Sequence, residues 1–426
     1  MTSGFRTLTL REYESAAIGP AWDAARKIVP SSVADEVERL QVEQGIDCFE
    51  VTRRRMTARN FVGVIGVREH SIEILPKTDN ETDPATRHRL IEMLAVAGIV
   101  PHLEAGIANL ALSATCLLDV FMQAYIRQLA LEWQRGRIAR YRRTDENRDC
   151  LRGKLLFSEQ LRRNALNPAR FFTRADEFLV DALPSRLLKA ALEVCRLHAT
   201  LDTTRRNAMT LLAEFDEVSS CTLTSAEWDR VQVDRQISRF EPLLVMAKSF
   251  LRGCAGDRPG GLPTFSLLFD MNAVFEQYIG NLLRRVCPQS CTTHLQLCRR
   301  SLLRRNGRDQ FRLRPDVTIR NRHDNLVLVD TKWKRLDPNK PYDGVRQADM
   351  YQAYAYAREH KCPRVILLYP RIGGLKGHIV EYGLQTDTGP PSQIEIKTVD
   401  VSRSETEVAE ELRAMIETAI QPPVGS

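Results

Sequence analysis

The sequence has no long hydrophobic run, and this absence argues against an integral membrane protein. No apolar stretch reaches the roughly 18 residues that a membrane-spanning helix requires. The N-terminal residues MTSGFRTLTLREYE have neither the basic start nor the apolar segment of a secretory signal. With 43% hydrophobic and 27% charged residues, the composition is typical of a soluble globular protein. We therefore expect a cytoplasmic protein with no membrane partner.

The sequence also lacks a phosphate-binding loop of the Gly-x-x-x-x-Gly-Lys-Ser/Thr type. Gly153 and Lys154 have neither the upstream glycine nor the following hydroxyl residue, and the glycines of residues 373–377 stand in the wrong order. We therefore expect that this chain binds no nucleotide itself. If a nucleotide drives the system, another chain binds it.

The cysteines are scattered through the chain and follow no standard pattern for disulfides or metal sites. The chain has 10 cysteines in 426 residues, and in a cytoplasmic protein these are expected to be free thiols. Cys287, Cys291 and Cys298 form the one cluster, with His294 between them. Their spacing fits no standard zinc or ferredoxin motif, so buried and edge thiols are the favoured interpretation and a metal cluster is the alternative.

Acidic residues are scarce in two stretches, which leaves them strongly basic within a chain of net charge +7. Residues 127–174 contain 13 Lys and Arg against 5 Asp and Glu, and residues 284–335 contain 14 against 4. A basic stretch suits a phosphate-backbone ligand, and for the second stretch we favour nucleic acid. Solvated helix faces and an arginine-rich genome are the alternatives.

The second basic stretch encloses two runs of alternating residues around the polar cluster 321–325 (NRHDN), which is typical of a hairpin turn. Asp316 takes the opposite parity to the apolar residues of the first run, so it is expected on the opposite face. In the second run, Asp330 and Lys332 emerge side by side at the end of an apolar strand. The apolar residues of the first run that share one parity are Phe311, Leu313, Val317 and Ile319.

An aspartate on one strand, followed by Asp-x-Lys on the next, resembles the PD-(D/E)XK nuclease pattern. Phosphodiester hydrolysis needs a divalent ion that polarises the phosphoryl oxygen and activates water. Mg²⁺ takes one or two carboxylates together with water and substrate oxygens, so Asp316 and Asp330 are the predicted ligands. Lys332 is predicted to orient the water and offset the charge of the transition state. The alternative is an ordinary hairpin with surface Asp and Lys side chains.

The chain order predicts an α+β multidomain protein of at least two domains. We predict a β-rich N-terminal domain at 1–110, a helical middle region at 111–255 and an α/β PD-(D/E)XK core at 256–426. The Gly- and Pro-rich residues 253–263 are predicted to be a linker. The N-terminal domain shows no nucleophile, metal cluster or phosphate loop, so docking is its predicted role and a purely structural domain is the alternative.

Further site residues are predicted on the helices and basic loops around the hairpin. Glu276 lies beside the apolar stripe of a helix capped by Asp270. In many PD-(D/E)XK nucleases such a helix supplies an additional acid to the metal site, and an ordinary glutamate on the helix flank is the alternative. Gln352 and Tyr356 lie on one helix face with Asp349. A Gln-x-x-x-Tyr pair on the helix after the lysine strand resembles a feature of RecB-like nucleases, which implies that the pair holds the DNA strand; a tyrosine packing stripe is the alternative. The arginines predicted to bind DNA are Arg304, Arg305 and Arg314.

Several stretches in this order together resemble the McrC family, the nuclease subunit of modified-cytosine-specific McrBC restriction systems. The resemblance covers about residues 55–370. It is carried by residues 61–67 (FVGVIGV), 72–77 (IEILPK), 151–154 (LRGK), 160–164 (QLRRN), 268–278 (LFDMNAVFEQY), 314–319 (RPDVTI), 329–334 (VDTKWK) and 349–356 (DMYQAYAY).

The resemblance implies an endonuclease subunit whose partner is a GTP-hydrolysing AAA+ ring, McrB, which recognises modified DNA. It also implies that the N-terminal domain docks into that ring and stimulates its GTPase. Asp316, Asp330 and Lys332 fall on the family's catalytic positions. Two alternatives stay open at this point: a self-sufficient repair or recombination nuclease, and a non-catalytic activator of a motor.

Overall fold

The structure is a computed structural model in which the chain forms two compact units. One unit contains Leu118–Leu267, and the other contains Arg6–Leu117 and Leu268–Ser426. None of the helices in the described residues combines the length and apolar character that a membrane crossing needs. The structure describes residues 6–67, 70–78, 82–100, 116–220, 225–253, 264–298, 300–306, 308–322, 325–372, 380–384 and 392–420.

The N-terminal residues of the larger unit are β-rich, as the sequence predicts. One sheet has the order β1-β7-β6-β11, where β11 is Thr264–Asp270 and β1 is parallel to β7, and a second has the order β3-β2-β5-β4. The first elements are β1 (Arg6–Arg11), β2 (Ser15–Gly19), β3 (Ile28–Pro30), α1 (Ser31–Gln44), β4 (Phe49–Val51), β5 (Arg55–Ala58), β6 (Phe61–Val67), β7 (His70–Leu75) and α2 (Asp83–Val96).

The predicted hairpin of residues 61–75 is present as the antiparallel pair β6 and β7. Gly63 lies in β6 with φ +131, a conformation that residues with a Cβ rarely adopt, so a strand glycine is required there. The turn residues 68 and 69 lie outside the described residues.

The smaller unit combines helices with a three-stranded sheet of order β8-β10-β9. Gly153 has φ +79, and a Cβ on it would lie 2.3 Å from the backbone oxygen of Arg174, so the LRGK stretch needs its glycine. The elements are α3 (Leu117–Arg135), β8 (Arg140–Arg148), β9 (Lys154–Leu155), α4 (Phe157–Asn164), β10 (Phe171–Leu179), α5 (Leu183–His198), α6 (Asp202–Ala213), α7 (Ser225–Asp229), a 3₁₀ turn (Ser238–Phe240) and α8 (Glu241–Gly253).

This sheet corrects the prediction of a helical middle region. We expect a helix from Asp176 onward by sequence, but β10 continues to Leu179 and α5 begins at Leu183, with Pro184 in its first turn. Nine residues of β10 pair with β8, and this cross-strand pairing overrides the local helical pattern. Of the predicted linker, only Gly253 is described, as the last residue of α8, and residues 254–263 lie outside the described ranges.

The C-terminal residues of the larger unit are organised by a six-stranded mixed sheet of order β12-β15-β16-β17-β19-β18. This part of the larger unit begins at Leu268, within strand β11 (Thr264–Asp270). The elements are α9 (Met271–Val286), β12 (Cys291–Leu295), β13 (Arg300–Arg305), β14 (Arg308–Leu313), β15 (Val317–Asn321), β16 (Leu326–Thr331), a 3₁₀ turn (Pro341–Gly344), α10 (Gln347–His360), β17 (Arg364–Pro370), β18 (Val380–Leu384), β19 (Ser392–Val399) and α11 (Glu405–Ile420).

Strand β16 is buried along its whole length and sits between β15, antiparallel, and β17, parallel. Leu326 and Leu328 pack with Tyr356 and Ala357 of α10 in one apolar cluster. Helices α9 and α11 also contact β16. A strand covered in this way holds its C-terminal residues rigidly, which suits a site built at its end.

Helix ends that depend on local sequence match their predictions. Asp270 caps α9 by accepting a hydrogen bond from Asn272 N at 2.9 Å. The spacing of Ser404 and Glu407 predicts a capping box, and α11 has one: Glu407 accepts from Ser404 N at 3.0 Å, and Glu407 N donates to the Ser404 hydroxyl at 3.4 Å.

Three expectations for the core are wrong. Phe311 does not share a buried face with Leu313, because β14 leaves the main sheet to pair with β13 and Phe311 is exposed. By sequence we expect residues 394–399 to form an edge strand, but β19 is an inner strand, since it lies between β17 and β18. By sequence we also expect a helix to start at Asp343 and Gly344, but α10 begins at Gln347, because residues 341–344 form a separate 3₁₀ turn with Asp343 at φ +56.

Candidate active site

Asp316 and Asp330 lie at adjoining positions of two paired strands. Val317 pairs with Val329 in the register of β15 and β16, and extending that register by one residue sets Asp316 opposite Asp330. One Asp316 oxygen, Oδ2, accepts hydrogen bonds from the Thr331 backbone N at 2.6 Å and from the Thr331 hydroxyl at 2.7 Å. Asp330 is 1% exposed. The strand pairing therefore brings together the two predicted carboxylates and fixes the side chain of Asp316.

Lys332 joins these acids to helix α10. Its Nζ lies 2.5 Å from Asp330 Oδ2 and donates a hydrogen bond to Gln352 Oε1 at 3.0 Å. Gln352 Nε2 in turn donates to the Tyr356 hydroxyl at 2.7 Å, and that hydroxyl donates to the Arg314 carbonyl at 3.0 Å. The predicted Gln–Tyr pair thus holds both the lysine and the segment that leads into Asp316.

Burial and like charges perturb the site. The pKa of Asp316 is raised to about 7, by burial first and then by the charges of Asp330 and Glu276. Burial also raises the pKa of Asp330, although the Lys332 charge opposes that rise. For Lys332, burial lowers the pKa, but the surrounding aspartates more than offset this and the pKa is raised. A group of acids that burial and mutual repulsion make hard to ionise is typical of a cation site or an active site.

Glu276 contributes charge to this group from helix α9. Its Oε1 accepts a hydrogen bond from Gln296, whose own side-chain oxygen accepts one from Arg314. Gln296 also donates its backbone N to the Asp316 carbonyl at 2.8 Å. Gln296 was not predicted: it follows β12 with φ +49, and nothing in the local sequence marks it.

The donor set fits a hard divalent ion held by two carboxylates. Among the described residues, no group of three or more His, Cys, Asp or Glu side chains is arranged to hold a metal ion, so Glu276 does not join Asp316 and Asp330 as a third ligand in this arrangement. Mg²⁺ needs only one or two carboxylates because water and substrate oxygens fill its other positions. Asp316 and Asp330 supply that number.

A second network of hydrogen bonds, centred on Asp349, holds helix α10 next to the site. Asp349, predicted to share a helix face with Gln352 and Tyr356, accepts Lys334 Nζ at 2.8 Å on both oxygens and the Tyr369 hydroxyl at 3.3 Å. Because Lys334 and Tyr369 come from the strand ends that flank α10, this network locks the helix against the sheet.

A buried contact also ties the strand end to the N-terminal residues of the same unit. Trp333, directly after Lys332, donates its indole N–H to both oxygens of Glu12, at 3.1 and 2.9 Å. Glu12 also accepts from the Lys77 backbone N at 3.1 Å and is 1% exposed. The Trp333 ring packs against Phe275, the neighbour of Glu276, with centroids 5.3 Å apart. Sequence reasoning missed this contact, since it joins residues 321 positions apart.

The arginines predicted to bind DNA occupy different settings. Arg314 lies beside the acids but donates to Gln296. Arg304 and Arg305 lie on the exposed strand β13, and Arg304 forms an ion pair with Asp309 at 3.0 Å. Thus Arg305 is the one of the three whose guanidinium has no ion-pair or hydrogen-bond partner among the described residues.

Two solved structures from Thermococcus gammatolerans have a fold similar to that of this chain. A chain of the refined half-complex from the tetradecameric assembly of Thermococcus gammatolerans McrB AAA+ hexamers with bound McrC matches with a TM-score of 0.76 and 19% identity, covering 97% of this chain and 100% of that chain. A chain of the cryo-EM structure of the Thermococcus gammatolerans McrBC complex matches with a TM-score of 0.53 and 22% identity, covering 66% and 88%. At these identities the likeness is one of fold.

Among curated proteins, no sequence matches this chain. The sequence profile of the family described as McrBC 5-methylcytosine restriction system component, however, matches residues 56–370, which is well over half of the chain. The matched span agrees with the stretch of about 55–370 that carries the sequence resemblance. This chain therefore belongs to the McrBC 5-methylcytosine restriction system component family.

Proposed function

We propose that this chain is the Mg²⁺-dependent DNA endonuclease subunit of a GTP-driven restriction complex directed at modified cytosine. The observation that carries the proposal is the arrangement of Asp316, Asp330 and Lys332 at two paired strand ends, with Gln352 bonded to the lysine. This is the constellation expected of a PD-(D/E)XK nuclease core. A purely activating subunit has no reason to keep two carboxylates beside a half-buried lysine, which argues against the non-catalytic alternative.

In this proposal Asp316 and Asp330 hold the metal ion. When bound, Mg²⁺ polarises the phosphoryl oxygen and lowers the pKa of an attacking water. Lys332 stays charged, because the surrounding aspartates raise its pKa, and it offsets the negative charge that grows on the phosphate. Gln352 and Tyr356 position Lys332 and the Arg314 backbone, so they act by holding the site in its productive geometry.

Duplex DNA is the proposed substrate, and an AAA+ GTPase ring is the proposed partner. The likeness to a chain from an assembly of McrB AAA+ hexamers with bound McrC supports this partner class. The family description, a 5-methylcytosine restriction system, supports modified cytosine as the target. Recognition of the modified base is assigned to the partner, since the proposed role of this chain is strand cleavage.

The docking surface has two candidates. The N-terminal domain at 1–110 is the surface that the family resemblance implies, and it exposes Val42 on α1. The smaller unit exposes more apolar side chains, including Phe157 and Leu161 of α4, and exposed apolar patches mark protein interfaces. The two candidate surfaces are distinguished by measuring how strongly the Val42→Ser and Leu161→Ser chains stimulate the partner's GTPase. The substitution that lies on the docking surface lowers the stimulation, and the other substitution leaves it unchanged.

The division into domains at 1–110, 111–255 and 256–426 is proposed as a division of roles. It does not follow the compact units, because residues 6–117 group with residues 268–426. Tests of docking therefore need the full chain with point substitutions, since a fragment ending near residue 250 would remove the packing partners of the N-terminal strands.

The decisive experiment is cleavage of methylated and unmethylated plasmid with Mg²⁺ and GTP, with and without an AAA+ GTPase of the McrB type from the same organism. We expect cleavage of methylated plasmid only when both proteins are present, and none by the Asp330→Asn chain. The matched control is Glu359→Gln, which removes an exposed carboxylate from the same helix that carries Gln352. Equal cleavage without the partner would favour the self-sufficient nuclease, and wild-type cleavage by Asp330→Asn would refute the assigned site.

A further inference from the structure

Strands β13 and β14 form a two-stranded ribbon that belongs to no larger sheet. Every residue of β14 except Leu313 is exposed, and β13 is exposed apart from Ser301, which is half-buried. A two-stranded hairpin on its own is marginally stable in water. Helix α10 contacts β13, but most side chains of the ribbon remain exposed and are available to a ligand. The ribbon is therefore a candidate interaction element rather than part of the core.

The ribbon is strongly basic, and two of its arginines face each other across the paired strands. Residues 300–313 contain five arginines and one acid, Asp309, which pairs with Arg304. Arg305 lies directly opposite Arg308 in the register, and neither forms an ion pair with a described residue. Like charges placed directly across a strand pair destabilise it. An anion bound between them would remove that cost.

The face that carries this arginine pair also carries Leu303 and Arg312, because residues two apart along a strand share a face. Leu303 is 60% exposed and Phe311, on the other face, is 70% exposed. Phe311 has φ +55, an uncommon conformation for an aromatic residue. Cationic and apolar side chains interleave, as in proteins that contact both the phosphates and the base edges of a duplex.

The ribbon is attached directly to the candidate active site. Its last residue, Leu313, is buried in the core cluster that includes Tyr356, and three residues later the chain reaches Asp316. The Tyr356 hydroxyl fixes the intervening Arg314 carbonyl at 3.0 Å. A duplex held by the ribbon would therefore lie beside the carboxylates.

We infer that this ribbon enters the major groove of the substrate duplex and that Arg305, Arg308 and Arg312 contact its phosphates. The inference rests on the proposed function, in which duplex DNA is the substrate. The major groove, about 12 Å wide, admits a two-stranded β-ribbon, and six residues of strand reach about 20 Å along it. The structure refines the sequence prediction, since the arginine paired with Asp309 contributes less to DNA binding than Arg305 and Arg308.

The test measures binding of the full chain to a short fluorescent duplex, with EDTA in place of Mg²⁺ so that cleavage does not enter. Arg305→Gln/Arg308→Gln should weaken binding by about tenfold or more near ~0.1 M salt, and should flatten the salt dependence by about 0.9 in log–log slope for each lost phosphate contact. The control Arg53→Gln/Arg54→Gln removes the same charge from an exposed bend and should change neither the affinity nor the salt dependence. Circular dichroism of each variant checks that the fold is kept.

Groove insertion has its own readout. Guanine N7 faces the major groove, so the saturated duplex should be protected from dimethyl sulfate by the wild-type chain and less so by Phe311→Ser. Unchanged affinity and salt slope for Arg305→Gln/Arg308→Gln, or no N7 protection by the wild-type chain, would overturn the inference and leave the nuclease proposal standing. If the chain shows the predicted binding but never cleaves DNA with its partner, GTP and Mg²⁺, the ribbon inference stands and the nuclease proposal is refuted.

Discussion

Glu12→Gln tests the buried contact that joins the N-terminal strands to Trp333, just beyond the end of strand β16. Glu12 accepts hydrogen bonds from Trp333 and from the Lys77 backbone, and its burial raises its pKa from 4.5 to about 7. The two hydrogen bonds and the Lys77 charge oppose that rise, and the Asp270 charge adds to it. Glutamine has the shape of the protonated acid, so the variant mimics the neutral form at every pH.

The sign of the effect follows from the direction of the pKa shift. Since the folded pKa is the higher one, the folded state holds the proton more tightly than the unfolded state, and the stabilisation is fully present below about pH 4.5 and lost as the pH rises through about 7. A rise from 4.5 to about 7 corresponds to on the order of 3 kcal/mol, since each pKa unit is worth about 1.4 kcal/mol. Asp316, with its pKa also raised to about 7, contributes in the same direction.

The assay is urea unfolding followed by tryptophan fluorescence at about pH 5 and about pH 8, which gives the free energy of unfolding at each pH. The free energy of unfolding of the wild-type chain should fall between about pH 5 and about pH 8. For Glu12→Gln the fall should be smaller, by on the order of 3 kcal/mol. Glu14→Gln is the control: burial raises the pKa of Glu14, but Lys27 and the Arg11 backbone lower it below the usual value, so this variant keeps the wild-type fall. An equal fall in Glu12→Gln and the wild-type chain would refute the reasoning.

Further predictions concern the site itself. Asp330→Asn and Lys332→Ala should each lower the cleavage rate by about a hundredfold or more, measured in single-turnover assays with the partner, because each removes stabilisation of the transition state. Near wild-type cleavage by either variant would contradict that role. Gln352→Ala removes the acceptor that holds Lys332 and should lower the rate less than Lys332→Ala does; an effect on substrate binding alone would show that Gln352 does not position the lysine. Tyr356→Phe should lower the free energy of unfolding by about 1–3 kcal/mol in urea titrations, because it leaves the Arg314 carbonyl without its donor, and an unchanged midpoint would exclude that hydrogen bond as a stabilising contact.

Local pattern predicts which residues stand at the centre of the candidate site. The alternation of residues 326–332 marks a buried strand that ends in Asp330 and Lys332, and the four-residue spacing of Gln352 and Tyr356 places both on one helix face. Asp270 and Ser404 mark helix starts for the same reason: a capping side chain bonds to backbone within its own turn. These features depend on residues a few positions apart, so the sequence alone determined them.

The tertiary structure decided what depends on distant parts of the chain. Glu12 reaches Trp333, Gln296 bridges Glu276 and Arg314, and the compact units join residues 6–117 to residues 268–426, none of which leaves a local pattern. The predicted helix at Asp176 and the buried position of Phe311 failed for the same reason. In both cases strand pairing, β10 with β8 and β14 with β13, set the structure, and the energy of a strand comes from its neighbours rather than from its own sequence.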